Sequence, residues 1–113
     1  MNKIMIENSH GESKELRLEH GTITLGRAPD NDIQLLDKTV SAHHARIVTI
    51  FNASHIEDIG STNGSKVNGK KINEHTLHDG DVIQLGKIAI RFFSDASVPA
   101  ANPDTKQSPQ ISL

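Results

Sequence analysis

Three short, separated blocks hold polar side chains able to grip an anion: LGRAPDNDI (Leu25–Ile33), SAHHARI (Ser41–Ile47) and DIGSTNGSKVNG (Asp58–Gly69). Arg27 stays charged at any physiological pH, and its planar fork can hold two phosphate oxygens at once. Ser41 offers a short hydroxyl donor. Thr62 and Asn63 stand in a turn whose backbone N–H groups can face outward as an anion nest. The Asn63 amide has donors and an acceptor, so it can hold a peptide backbone at both N–H and C=O. No activated nucleophile, paired-carboxylate or cofactor pattern occurs. The sequence predicts binding without catalysis, and no cofactor.

Two other chemistries compete for these residues. From Gly64 the chain reads GSKVNGKK, one residue short of a nucleotide-binding phosphate loop. Such a loop needs a helix after it, whose N-terminal N–H groups meet the phosphates. The following INEHTLHDGD allows about two turns of helix at most. Lys71 also stands where a hydroxyl should meet magnesium. Asn68-Gly69 reads better as a hairpin turn. The seven histidines raise a metal reading through His75 and His78 (HTLH) and His43 and His44 (SAHH). Zinc takes three or four ligands at set spacing, whereas adjacent His43 and His44 point to opposite faces of an extended chain. Asp79 and Asp81 flank a glycine and read as turn residues. The sequence therefore assigns no metal ligand, and a His-based metal protein stands as the lesser alternative.

The elements that must position these residues are strands. Short segments rich in Ile, Val, Leu and Thr recur: KIMIEN, KELRLE, TITLG, DIQLL, ARIVTIF, SHIEDI, DVIQLG and KIAIRFF. Several alternate with the period of a half-buried strand, as Leu16 and Leu18 do, or Ile88, Ile90 and Phe92. Turn signals divide them at His20-Gly21, Asn63-Gly64, Asn68-Gly69 and Asp79-Gly80. No helical repeat is sustained. Many short strands with close turns predict an all-β sandwich or barrel.

Length and composition narrow the partners. The 113 residues suit one domain. There is no cysteine, which fits a cytoplasmic location. A net charge of −2 and three aromatic residues, all Phe, give no general nucleic-acid surface. No apolar run reaches the roughly 18 residues that span a membrane. Residues 94–113 hold three of the four prolines and almost no bulky apolar side chain, so a disordered tail or linker is expected there. The chain is then expected to be the N-terminal piece of something longer, with Thr105 or Ser108 open to phosphorylation.

Taken together, the three blocks resemble the forkhead-associated (FHA) domain. Its pattern is Gly-Arg, then Ser-x-x-His, then Ser/Thr-x-Asn-Gly followed by Val-Asn-Gly, and all occur here in order. LHDGDVIQLGKIAIRF also resembles the family's last hairpin. The resemblance covers residues 1–93 apart from the first. It implies a β-sandwich of about eleven strands with phosphothreonine-peptide-binding loops at one end. Carried over by position, it implies that Arg27, Ser41, Thr62 and Asn63 touch the phosphopeptide. Ala42 would do so by its backbone, since the family often has a polar side chain there. Gly26, His44, Gly64 and Asn68 would support the loops, with His44 tying them by hydrogen bonds. His43 stands where Arg or Lys is common, and Ser65 where Thr is. The resemblance implies a phosphorylation-dependent signalling module. Its partner would be a phosphothreonine protein, a Ser/Thr kinase or its substrate among them. A phosphate-independent interaction scaffold of the same fold is the alternative.

A phosphate brings about −1.5 to −2 charge at pH 7 and three acceptor oxygens. Three or four charge-assisted bonds contribute very roughly 5–10 kcal/mol before association costs of at least about 4 kcal/mol. With flanking contacts, a micromolar dissociation constant (about −8 kcal/mol) is expected. Leu36–Val40 and Asn73–His78 are the segments expected to set preference for residues after the phosphothreonine.

Overall fold

The computed structural model describes residues 2–8 and 11–94. They form eleven strands: β1 (Asn2–Glu7), β2 (Ser13–Leu18), β3 (Gly21–Gly26), β4 (Ile33–Gln34), β5 (Ala45–Ile50), β6 (Ala53–Asp58), β7 (Ser65–Val67), β8 (Lys70–Ile72), β9 (Glu74–Thr76), β10 (Val82–Leu85) and β11 (Ile88–Ser94). A six-stranded sheet, β2-β1-β11-β10-β7-β8, stacks on a five-stranded one, β4-β3-β5-β6-β9. Neighbours are antiparallel except β3 and β4, which run parallel through Leu25↔Ile33 and Gly26↔Gln34. The expected eleven-stranded sandwich is what forms. The expected tail, including Thr105 and Ser108, lies outside the described residues apart from Ser94, which closes β11.

Alternation along the strands builds the core. Ile4 and Ile6 of β1 lie beside Phe92 and Ile90 of β11, and Ile83 of β10 lies between Ile90 and Val67. Facing this row are Leu25, Ala45, Ile47 and Ile56 of the other sheet, all fully buried. Each large apolar side chain removed from water contributes about 1.5–3 kcal/mol. Leu35, Val40 and Leu77 extend the core from the connections.

Two local devices shape the chain around this core. Asn68 and Gly69 both take positive φ, at 52° and 85°, as the two-residue hairpin between β7 and β8 demands. That hairpin occupies the segment that resembled a phosphate loop, and β8 and β9 stand where a nucleotide-binding helix would begin. At the opposite end from the motif loops, the buried Asn2 amide donates to the Asn52 carbonyl (2.9 Å) and Ser54 Oγ (2.8 Å). Thr49 Oγ1 and Ser54 Oγ share a further hydrogen bond of 2.7 Å. This polar knot fastens β1 to the β5–β6 hairpin.

Candidate functional site

Strand register brings the three blocks together. Leu25 lies opposite Ala45, and Ala45 opposite Asp58. The chain leaving β3, the chain entering β5 and the chain leaving β6 therefore share one end of the five-stranded sheet. The first two are zipped to each other. The Arg27 N–H donates to the Ser41 carbonyl (3.0 Å) and the Ala28 N–H to the Ala42 carbonyl (3.1 Å). Asn31 Nδ2 adds bonds to the carbonyls of Ala28 (2.8 Å) and Ala42 (2.7 Å). Gly26 makes room for this contact, because a Cβ there would lie 2.2 Å from the Ala42 oxygen.

His44 fastens the second loop to the third. The side chain is fully buried. Its Nδ1 accepts the Ser41 N–H (3.1 Å), so Nε2 carries the proton and donates to the Gly64 carbonyl (2.9 Å). Gly64 itself has φ 82°, and the Lys71 side chain lies across it. Ser41 Oγ accepts the Thr62 N–H at 2.9 Å. The Thr62 N–H thus turns inward to Ser41 and does not form part of an outward nest, because the loops close on each other. The Ser41 hydroxyl proton is left to donate elsewhere. Asn63 Nδ2 donates to the Thr39 carbonyl (2.7 Å), leaving its second N–H and its Oδ1 in the amide's inventory. Arg27, Ala42, Thr62 and Asn63 are exposed and Ser41 is half-buried.

Three supporting residues escape a reading of the sequence. Asp58 arranges the third loop. Its Oδ1 accepts the N–H groups of Gly60 (2.9 Å) and Ser61 (3.0 Å), and its Oδ2 the hydroxyls of Ser61 and Ser65. Burial opposes its ionisation, but these donors outweigh it and hold the carboxyl down at about 2. An Asp two residues before a Gly is a local turn pattern, so this role had a legible cue. Thr39 is a hub with no such cue. It accepts Asn63 at its carbonyl, accepts the Lys87 N–H at Oγ1 (2.8 Å) and donates its hydroxyl to Asp37. Asn31 is the third, through the bonds to Ala28 and Ala42.

Other expected positions fall elsewhere. Asn68 stands at the β7–β8 turn, where its Oδ1 accepts the Val82 N–H and its Nδ2 donates to Asp81, each at 2.9 Å. It ties that hairpin to the start of β10. His43 is exposed and meets Asp30 at 2.9 Å. The His43 hydrogen bond holds the Asp30 carboxyl below its ordinary value, so positive charge on His43 would be offset at once. Of the two segments expected to set peptide preference, Leu36–Val40 borders the site through Thr39. Asn73–His78 departs from it, because β9 runs along β6 until the Leu77 N–H bonds the Ser54 carbonyl near the start of β6.

The sequence model of the FHA domain matches residues 23–86, which take in all three blocks. The chain belongs to the FHA domain family. This FHA domain is 32% identical over 91 residues to the glycogen accumulation regulator GarA of Mycobacterium tuberculosis, covering 80% of this chain and 56% of GarA. It is 34% identical over 91 residues to the oxoglutarate dehydrogenase inhibitor of Corynebacterium jeikeium, covering 80% and 63%. The chain thus spans less than two thirds of the length of these relatives. An FHA domain solved in work on phosphothreonine-dependent FHA interactions superimposes with a TM-score of 0.72 at 33% identity, covering 81% of this chain and 94% of that one. No helix among the described residues is long and apolar enough to cross a membrane.

Proposed function

We propose that this FHA domain recognises phosphothreonine on a partner protein. Arg27 grips the phosphate by its guanidinium, Ser41 by its hydroxyl proton, Ala42 by its backbone N–H and Thr62 by its side chain. Asn63 holds the peptide backbone beside the phosphothreonine. The observation that carries this reading is the frame made by Arg27 with Ser41, Ser41 with Thr62, and His44 with Gly64. It gathers a permanent cation and several short donors on one exposed end, with no nucleophile–base pair among them. The kinship with a domain studied for phosphothreonine-dependent interactions supports it.

The domain acts by binding, in the cytoplasm, as a signalling module whose partners include a Ser/Thr kinase or its substrate. A cleft beside Asn63, of about 270 Å³, is lined by Thr39, Lys66, Gln84 and Lys87 among others. Its two lysines favour an acidic side chain on the peptide near the phosphothreonine. The deciding experiment is fluorescence anisotropy with an oriented phosphothreonine library and the same peptides after dephosphorylation. Micromolar binding lost with the phosphate is expected. Equal affinity for both forms would instead favour a phosphate-independent scaffold.

A further inference from the structure

The β9–β10 connection gathers three metal-ligating side chains away from the loops described above. His75 stands in β9, at the edge of the five-stranded sheet. Asp81 immediately precedes β10 of the six-stranded sheet, and His78 lies in the connection between them. His75 Nε2 is 3.5 Å and His78 Nδ1 3.9 Å from the same oxygen, Asp81 Oδ2. All three ligand atoms lie within 4.8 Å of one another. Both nitrogen–oxygen separations exceed normal hydrogen-bond lengths, so neither ring is committed to the carboxylate.

The 3.5 Å between His75 and Asp81 is the spacing of two ligands on a single ion. A tetrahedral ion with bonds of about 2.0–2.1 Å holds its donors about 3.3–3.5 Å apart. To complete the arrangement His78 must draw closer to both Asp81 and His75, and its side chain is 75% exposed and able to move. The carboxylate is already aimed. Its Oδ1 is held by Asn68 Nδ2 (2.9 Å) and its Oδ2 by the His78 N–H (2.8 Å), the kind of outer contact that orients metal ligands. Two imidazoles and one carboxylate suit zinc and its neighbours, whereas calcium and magnesium prefer oxygen donors.

We propose that His75 Nε2, His78 Nδ1 and Asp81 Oδ2 bind a divalent transition-metal ion of the zinc type, with water completing its shell. The ion staples β9, the edge of the five-stranded sheet, to the start of β10, an inner strand of the six-stranded one. Because the Leu77 N–H bonds Ser54 near the start of β6 while the motif loops leave from its end at Asp58, the site is separate from Arg27 and Ser41. Metal binding therefore stabilises the fold without changing phosphopeptide affinity.

The test is thermal unfolding of the chain in EDTA and in rising zinc, with cobalt(II) absorption as the spectroscopic readout. A melting temperature that climbs with zinc concentration is expected, together with visible ligand-field bands from cobalt. His75→Ala and His78→Ala should each weaken binding at least about tenfold and lose those bands. His20→Ala, at an exposed position elsewhere, should leave both intact. No thermal shift in wild type, or a shift that survives in both His75→Ala and His78→Ala, would overturn the site.

Discussion

His44 Nε2 donates to the Gly64 carbonyl at 2.9 Å across a separation of 20 residues, and the ring is fully buried. One imidazole thereby sets the distance between the Ser41 loop and the Asn63 loop. Removing it leaves two backbone groups without partners and a void in the core. His44→Ala is expected to lower unfolding free energy by about 2–4 kcal/mol in urea titrations. Its phosphopeptide affinity should fall as well, although every proposed ligand is still present.

Arg27 tests the opposite case. Its side chain is exposed, so Arg27→Ala should change stability by no more than about 0.5 kcal/mol. Phosphopeptide affinity should drop by at least tenfold, the loss of about 1.5–3 kcal/mol from a charge-assisted contact. Wild-type binding should itself weaken below about pH 6, as the phosphate takes up its second proton. Unchanged affinity in a folded Arg27→Ala protein, by anisotropy, would remove Arg27 from the site.

Asp58 makes the third loop acid-sensitive. Its carboxyl is held at about 2 against an ordinary 3.8, so folding favours the ionised form. The resulting stability is complete above about pH 4 and is lost as pH falls toward 2, amounting to about 1–2 kcal/mol after allowance for solvent screening. Denaturation measured between pH 5 and 2 should show this slope. Asp58→Asn should flatten it and be less stable at pH 7.

The lysines of the Asn63 cleft address peptide choice. Lys66→Glu with Lys87→Glu should reverse a preference for acidic residues near the phosphothreonine, by about 0.5–1 kcal/mol per charge. The preference should fade as salt is raised. A double variant with the wild-type ranking of peptides would assign specificity elsewhere.

Much of the scaffold was legible in single segments. Ile88, Ile90 and Phe92 alternate because a strand presents successive side chains to opposite faces, and the three are buried as that period requires. Asn68-Gly69 announced its turn because both residues tolerate positive φ. The site was legible as three blocks, but only as blocks. That Ser41 Oγ takes the Thr62 N–H, 21 residues away, reversed the outward orientation expected of that turn. Nothing local could have told it, since the bond depends on how two loops close on each other. Thr39 and Lys87, 48 residues apart, are the same case. Asp81 read as a turn residue, and only the fold sets its carboxylate beside His75 and His78.

The sequence by itself determined the strand periods, the hairpin turns and the identity of the residues able to hold a phosphate. These follow from burial and backbone sterics acting over a few residues. Tertiary structure alone decided which ends of strands meet, which N–H groups are consumed inside the loops and which remain exposed. Those outcomes depend on the register of Leu25, Ala45 and Asp58 across three strands. Such register is fixed by non-local pairing under a shared core.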